Sequence, residues 1–559
     1  MSDTLLIPSA ILVPDELKLE LGPIPTGLIP LEGRPTLEHI ARSHQRASDA
    51  DLERVVACHE QKEKIVKWTE RSDYSWEVID VGETRRLGDT INQALAAIEG
   101  MGMLEEGDMT IQFADTLVYP PQTQGAVDSV TYETVDHPIR WTTFERGADG
   151  KIKSVSEKFS DLAKEQLSTF VGEFYFTEPR QFQMSLERAL NGTDDDDKSP
   201  FYHALLTYLD GREYTLRRPD KWIDVGHLDT YYRAKQEFIN SREFNDMEVD
   251  QKVNTIRKES DDFDILLPEI NWYTELPKEL RPHIPQVFDY DTSDPAFLEL
   301  EYVGYPTLSD LYIYGDHGAH IWKGIFDSLF GMLKAFGEHT AANTAAIADA
   351  QRVMYHDKTT RRLNELKATR DFGPFFTDVP VTVNGKKYVS VSEILTNLES
   401  DLREMGLLKP VDPTIIHGDL CFANILYDVR TSLIKLVDPR GAFGVYDIYG
   451  DYRYDLAKLL HSVDGKYEFI INDRFDVDVD VSGPRVDYTV FTEDEHSQRQ
   501  KLFYSMLESK YPVETERVRA LESLLWLSMV PLHSDSPDRQ YMMLAQGIEK
   551  YSRAFGYRS

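Results

Sequence analysis

Cysteine is almost missing from this sequence: Cys58 and Cys421 are the only two among 559 residues, far apart and at no metal-ligand spacing. That excludes a disulfide framework and a structural zinc site, and it suits a reducing cytoplasm. Cations are scarce too. Lys and Arg number 61 against 96 Asp and Glu, a formal charge of −35, which disfavours any broad electrostatic grip on nucleic acid or on an anionic membrane. Phosphorylated ligands must then be met locally, by a metal ion and a few well-placed cations. No run of about 18 apolar residues occurs, so membrane insertion is not expected. The segment Met1-Ser2-Asp3-Thr4-Leu5-Leu6-Ile7 lacks the basic start and long apolar core of a secretion signal, so a cytoplasmic location is expected.

What is present is ample core material, with hydrophobic residues at 41% and aromatics at 11%. A chain of 64.3 kDa is too long for one compact core, and two or more domains are expected. Residues 1 to about 235 alternate short β-branched runs, such as Leu5-Leu6-Ile7, Glu53 to Ala57 and Met109 to Phe113, with helical patterns such as Asp89 to Ile98. That alternation predicts an α/β domain built on a mostly parallel sheet. From about 240 the order changes to strand-like runs at Glu243 to Val249, Val253 to Lys258 and Phe297 to Tyr302, followed by long helical stretches. The reading divides the chain at 1–237 and 238–559, with a small β-rich lobe at about 238–303 and a larger helical lobe at about 304–559.

The densest chemistry lies in Thr414-Ile415-Ile416-His417-Gly418-Asp419-Leu420-Cys421-Phe422-Ala423-Asn424-Ile425-Leu426, followed by the β-like Leu433 to Val437 ending in Asp438. One carboxylate, Asp419, can orient a substrate hydroxyl, while the Asn424 amide and the Asp438 carboxylate can hold Mg²⁺ against the phosphates of ATP. A kinase also needs a cation on those phosphates. Strand alternation puts Lys258 on the face of Ile256 and turns Arg257 away, and Glu269 is the candidate partner of Lys258. Leu298 to Gly304 reads as a strand and hinge where the backbone at Glu301 and Val303 would meet adenine. Cys421 reads as a packed small side chain, and His417 as a structural member of its loop.

These C-terminal motifs, HGDLCFANIL and then LVDPRG, resemble the aminoglycoside phosphotransferase and choline kinase group, over roughly 240 to 559. The resemblance implies an α+β two-lobed kinase-like fold, Asp419 as catalytic base or hydroxyl-orienting group, and Asn424 and Asp438 as Mg²⁺ ligands. In the same comparison Asp451 would cap a helix and Asp455 would brace the catalytic loop. Arg440 stands where the group often has an aromatic or acidic residue; contact with substrate and a salt bridge are both open to it.

Residues 1 to about 237 resemble the sugar-phosphate nucleotidyltransferases, whose fold is Rossmann-like. The pieces occur in order: Leu28 to Ile40, Phe113-Ala114-Asp115-Thr116-Leu117, Val155-Ser156-Glu157-Lys158, Val171 to Phe176, and Trp222-Ile223-Asp224-Val225-Gly226. The resemblance implies Asp115 and Asp224 as metal ligands and Lys158 as the contact to the substrate phosphate. It also implies a second nucleoside triphosphate, CTP being one candidate. The sequence departs from the pattern at the nucleotide-binding start, where no glycine occurs between Met1 and Leu21 and Thr26 replaces an expected lysine. Lys18 and Arg34 are the cations nearest in sequence that could compensate.

Together the two resemblances imply a bifunctional enzyme. ATP would phosphorylate a small hydroxyl compound, a nucleotidyl group would then be joined to that phosphate, and the product class suits decoration of surface polysaccharides. Two alternatives stand beside it: a kinase whose N-terminal domain is catalytically degenerate and serves binding or oligomerisation, and a nucleotide-binding pseudoenzyme scaffold. The expected partners are a small-molecule substrate and nucleotides, with homo-oligomerisation left open.

Overall fold

The computed structural model describes the whole chain except residues 1–2, 48–51, 105–106, 124, 136–139, 157–166, 193–198, 241–246, 261–262, 513 and 558–559. It divides into two compact units, Met1–Phe238 and Ile239–Ser559. In the first unit, β1 (Asp3–Ser9), β2 (Leu52–Cys58), β3 (Glu77–Asp80) and β4 (Met109–Gln112) lie parallel in the spatial order β4-β1-β2-β3. With strands counted along the chain this is the 3-2-1-4 order of a Rossmann-like sheet. Leu6 on β1 sits opposite Val55 and Ile111 on its two neighbours, so three apolar side chains meet in one row. Helix α1 (Leu87–Gly100) covers them, burying Ile91, Ala94, Leu95 and Ile98, the spacing of one helical face. Its start is closed by the Arg86 amide, which donates to the Asp89 carboxylate at 3.1 Å.

The sheet is not mostly parallel, as its sequence suggests, but mixed. Beyond β4, the strand Leu167–Phe176 runs antiparallel to β4, to Asp128–Val135 and to Thr143–Arg146. Seen from the sequence, the apolar run within Leu167–Phe176 is like those of β1 and β2. The direction of these antiparallel strands follows from the connections between them, which the apolar pattern does not encode. Their aromatic side chains fill the same core: Phe176 stacks on Phe182 with centroids 4.2 Å apart, and Phe174 meets Phe201 edge-on at 5.0 Å. Two further strands matter for the site, Thr116–Tyr119 and Lys221–Asp224. They pair antiparallel and set Thr116 opposite Asp224.

The second unit opens with an antiparallel four-stranded sheet of β5 (Met247–Asp250), β6 (Thr255–Ser260), β7 (Val287–Asp291) and β8 (Ala296–Glu301) in the order β5-β6-β8-β7. Helix α2 (Phe263–Glu275) follows β6. The remainder is mainly helical, and helices Thr515–Met529 and Pro537–Ala554 form its buried centre, nearly every residue from Ala520 to Met529 being inaccessible. Two further features complete this unit. A second four-stranded sheet joins Val381–Val383 and Lys386–Tyr388 to Phe475–Asp480 and Arg485–Val490. A hairpin, Ile425–Asp428 with Leu433–Leu436, separates Asn424 from Asp438.

Beneath that hairpin Glu468 is fully buried, accepting hydrogen bonds from the Ser462 hydroxyl at 2.6 Å and the Phe422 amide at 3.1 Å. Burial pushes its carboxyl up to about 7, against these two donors. A carboxyl that binds its proton more tightly folded than unfolded stabilises the fold in acid, and loses that contribution as pH rises from about 4.5 through about 7. Replacing Glu468→Gln keeps the oxygen acceptor and removes the titration. Thermal unfolding of the wild type should therefore lose up to about 3 kcal/mol between pH 5 and 8, and the variant should show a flatter profile over that range.

Candidate functional site

In the second unit the segment 416–421 forms a loop between Thr414–Ile415 and the short 3₁₀ turn Phe422–Asn424. The loop is held from below by Asp455, in the first turn of α4 (Tyr452–Val463), where α3 denotes Lys358–Lys367. Its two carboxylate oxygens accept the His417 amide at 2.7 Å and the Gly418 amide at 2.8 Å. Asp455 is fully buried, and burial pushes its carboxyl up to about 7 despite the two donors. Asp451 caps the same helix through the Arg453 amide. Gly418 has φ +79°, and a Cβ there would stand 2.8 Å from Cβ of Arg440, so both conformation and space require glycine.

His417 is spent on structure. Its Nδ1 lies 3.3 Å from the Asp419 amide, which donates to it, and its Nε2 lies 3.0 Å from the Val437 carbonyl. This assigns the neutral tautomer with the proton on Nε2, consistent with burial lowering its pKa to about 4. The Asp419 carboxylate meets the Lys458 ammonium at 2.6 Å and the Asn424 amide nitrogen at 3.1 Å. Burial would raise its pKa, but Lys458 outweighs burial and holds the carboxyl below the ordinary value, so it stays an anion. Asn424 also donates to the Asp419 carbonyl at 2.8 Å. With its nitrogen so engaged, its oxygen remains as an acceptor. The Val437 amide donates to the Asn424 carbonyl at 3.0 Å, bringing Asp438 beside it.

From the sheet, Lys258 reaches Glu269 on α2 at 2.8 Å and also pairs with Asp438. Arg257 faces the other way and lies over the Phe297 ring, 3.6 Å from its centroid. Asp438 itself has φ +54°, a strained conformation for a non-glycine residue. The structure thus brings Lys258, Glu269 and Asp438 together, and joins Asp419 to Asn424. A carboxylate and an amide oxygen at the ends of one hairpin, with Lys258 paired to the carboxylate, are a donor set that suits Mg²⁺.

The expected hinge residues lie apart from this cluster. The Glu301 amide is spent on the Gln286 carbonyl at 2.8 Å, and its side chain faces Lys435 at 3.7 Å across a cavity of about 770 Å³ lined also by Tyr273 and Arg281. Lys258 and Asp419 do not line that cavity. Val303 is half-buried just past the end of β8. A residue the sequence reading passed over is Lys458. Its position one turn beyond Asp455 places both on one face of α4, a spacing that could have flagged it.

Around Asp419 lies a further group of cations. Lys358, at the start of α3 directly after the π-helical turn Val353–Asp357, donates to the Tyr454 hydroxyl at 3.1 Å. Burial would raise the phenol, but Lys358, Arg440 and Lys458 together hold it down near about 8. The Arg440 amide donates to the His417 carbonyl at 2.9 Å, and its side chain packs on Gly418.

In the first unit Asp115 and Asp224 converge on Gly226, where a Cβ would stand 2.7 Å from an Asp115 oxygen and 3.3 Å from an Asp224 oxygen. Asp224 accepts the Trp141 indole N–H and the Gly226 amide, each at 2.8 Å. Burial and then Asp224 push the Asp115 carboxyl up to about 6, while burial also raises Asp224. Two half-buried like charges side by side suit a divalent cation, which would relieve both their repulsion and their loss of solvent. Among the described residues no cluster of three or more His, Cys, Asp or Glu could hold a metal, so only these two carboxylates would serve. Lys158 lies outside the described residues.

At the expected triphosphate-binding start, Ser9 to Val13 is closed against 24–27. The Val13 amide donates to the Ile24 carbonyl at 2.9 Å, the Thr26 hydroxyl to the Ile11 carbonyl at 2.9 Å, and the Gly27 amide to the Ser9 hydroxyl at 2.9 Å. Thr26 is therefore a buried structural tie. Lys18 pairs with exposed Asp15 at 3.0 Å, and Arg34 with Glu38.

No protein-family model matches the sequence, and no curated protein matches it. Among solved structures, a UDP-glucose pyrophosphorylase complexed with UDP-glucose is similar at 13% identity, over 43% of this chain and 100% of that one, with a TM-score of 0.34. A nucleoside-diphosphate-sugar pyrophosphorylase from Vibrio cholerae RC9 is similar at 16% identity, over 41% and 99%, with a TM-score of 0.35. A CTP:phosphocholine cytidylyltransferase from Streptococcus pneumoniae is similar at 10% identity, over 43% and 100%, with a TM-score of 0.34.

Gly441, with φ +62°, touches the helix that carries Glu269: a Cβ there would fall 1.9 Å from the Pro268 carbonyl oxygen and 3.0 Å from the Glu269 amide. Gly441→Ala should force α2 outward and loosen the Lys258 pair. Its expected cost is about 2–4 kcal/mol in chemical denaturation, whereas Gly331→Ala, where the new Cβ meets nothing, should leave stability within about 1 kcal/mol of the wild type or above it.

Proposed function

We propose that the second unit is an ATP-dependent small-molecule kinase and the first a nucleotidyltransferase acting on the phosphorylated product. The observation that carries the kinase reading is the joint placement of Lys258 with Glu269 and Asp438, and of Asp419 with Asn424 and Lys458. In this reading Lys258, oriented by Glu269, holds the nucleotide phosphates. Asn424 and Asp438 would hold Mg²⁺, which supplies charge neutralisation on the triphosphate when bound. Asp419, kept anionic by Lys458, accepts the hydrogen bond of the acceptor hydroxyl and orients it toward the terminal phosphate. Asp455 keeps Asp419 in place by fixing the two peptide units before it. His417 takes no proton, because its ring is neutral and both nitrogens are engaged.

For the first unit the supporting observation is the Asp115 and Asp224 pair, two converging half-buried carboxylates that would hold the metal of a nucleoside triphosphate. A second reading, a degenerate first unit that only binds, is favoured by the closed Ser9 to Val13 segment and the buried Thr26.

ADP release in the presence of Mg²⁺ and an acceptor panel tests the kinase. Asp419→Ala should lower the rate about 10²–10⁴-fold with an unchanged unfolding midpoint, and an unchanged rate would sink the assignment. Pyrophosphate release from each common nucleoside triphosphate, CTP included, with a phosphorylated acceptor tests the first unit. Asp115→Asn and Asp224→Asn should abolish it while leaving ADP release intact; wild-type failure with all of them selects the degenerate reading.

A further inference from the structure

Beyond Lys258 and Lys458, two more cations near Asp419, Lys358 and Arg440, have no part in the phosphoryl transfer described above. Lys358 is half-buried, and among the described residues its ammonium meets the Tyr454 hydroxyl and ring but no carboxylate. Arg440 has no ion-pair partner among the described residues either, but it is exposed, so the cost of an unpaired buried charge falls on Lys358 and Arg440 counts by its place beside Gly418. Such unpaired cations are notable in a chain of −35 net charge, where 96 acidic side chains outnumber 61 basic ones and carboxylate partners are plentiful. Burying part of a charge without a counter-ion costs free energy unless something of opposite sign completes it.

The two cations are also placed together. Tyr454, to which Lys358 donates, is stacked on Tyr355 with ring planes 13° apart, and stands one helical turn before Lys458, the partner of Asp419. Arg440 packs its stem on Gly418, the residue before Asp419. Lys358 comes from α3 immediately after a five-residue π-helical turn, a local irregularity that costs helix hydrogen-bond geometry and commonly marks a functional position.

We infer that the kinase site takes an anionic acceptor, a hydroxyl compound bearing a carboxylate or a phosphate that Lys358 and Arg440 bind while its hydroxyl lies on Asp419. This rests on the kinase reading of the second unit. In the step itself the acceptor oxygen attacks the γ-phosphorus of ATP. The new P–O bond forms as the bond to the bridging oxygen breaks, ADP leaves with that electron pair, and the hydroxyl proton passes to the Asp419 carboxylate. Lys358 and Arg440 bind the far end of the acceptor and take no part in the proton's path. A quaternary or primary amine at the same place would face like charges at close range, so amino alcohols are disfavoured by electrostatics alone.

The test uses the full chain with ATP and Mg²⁺ and matched probes: glycerate and gluconate for carboxylates, glycerol 3-phosphate for phosphates, glycerol and sorbitol as neutral polyols, choline and ethanolamine as cations. The expected result is ADP release with at least one anionic probe at a kcat/KM more than about tenfold above every neutral and cationic one. The two anionic classes tell carboxylate from phosphate. Lys358→Met and Arg440→Gln should each raise the KM for that acceptor about ten- to a hundredfold with the KM for ATP unchanged, and Lys358→Arg should restore much of it. Preference for choline, ethanolamine or a neutral polyol would overturn the inference and leave the kinase reading standing. So would an acceptor KM indifferent to Lys358→Met and Arg440→Gln. ADP release no greater than that of Asp419→Ala with any probe would overturn both.

Discussion

Asp455 has no exposed surface, and its carboxylate receives the amide protons of both His417 and Gly418. The placement of Asp419 depends on that pair of bonds. Two consecutive amides cannot both point at one carboxylate unless the peptide between them turns sharply, and Gly418 permits the turn because its left-handed φ carries no side-chain penalty. The turn then directs Asp419 away from Asp455 toward Lys458 and Asn424. Like charges in one small volume are kept apart in protonation by their surroundings: burial pushes Asp455 up, and Lys458 pulls Asp419 down. The carboxylate that meets Lys458 is thereby distinguished from the one that holds the loop.

The same logic organises the first unit with fewer parts. Asp115 and Asp224 lie half-buried side by side, one indole donor and one backbone donor both serving Asp224, and among the described residues no lysine or arginine is paired with either. The unit resolves that repulsion by raising a pKa, where the second unit resolves it with Lys258 and Lys458. The difference has a topological root. The first pair sits at the adjoining ends of two short antiparallel strands, and the second cluster draws on a sheet, two helices and a hairpin.

Much of this was legible in the sequence, and the legible parts share a cause. The parallel strands around Leu6, the helix after Asp89, and the inward face of Lys258 all follow from periodicities of two and of 3.6, which a single strand or helix writes into its own residues. The spacing of Asp419, Asn424 and Asp438 was visible because a loop and a tight hairpin leave little slack. What was not legible was relational. The antiparallel direction of Leu167–Phe176 depends on connections and not on its apolar run. The second small sheet joins segments about a hundred residues apart, Val383 beside Val486. Lys458 looks like any helical lysine until Asp419 is folded against it. The Glu301 amide goes to Gln286, a partner outside its own strand that no local pattern shows.

Gly441 sits three residues past Asp438 with its α-carbon facing the Pro268 carbonyl too closely for even a methyl group. The strand-and-helix part of the second unit and its helical part therefore touch there backbone to backbone, with no side chain to act as a cushion. Side-chain contacts slide through rotamer changes, but a backbone contact can only hinge or part. A relative motion of those two parts would accordingly keep this point nearly still and swing their far edges around it, a rotation about residue 441 and not a separation of two halves.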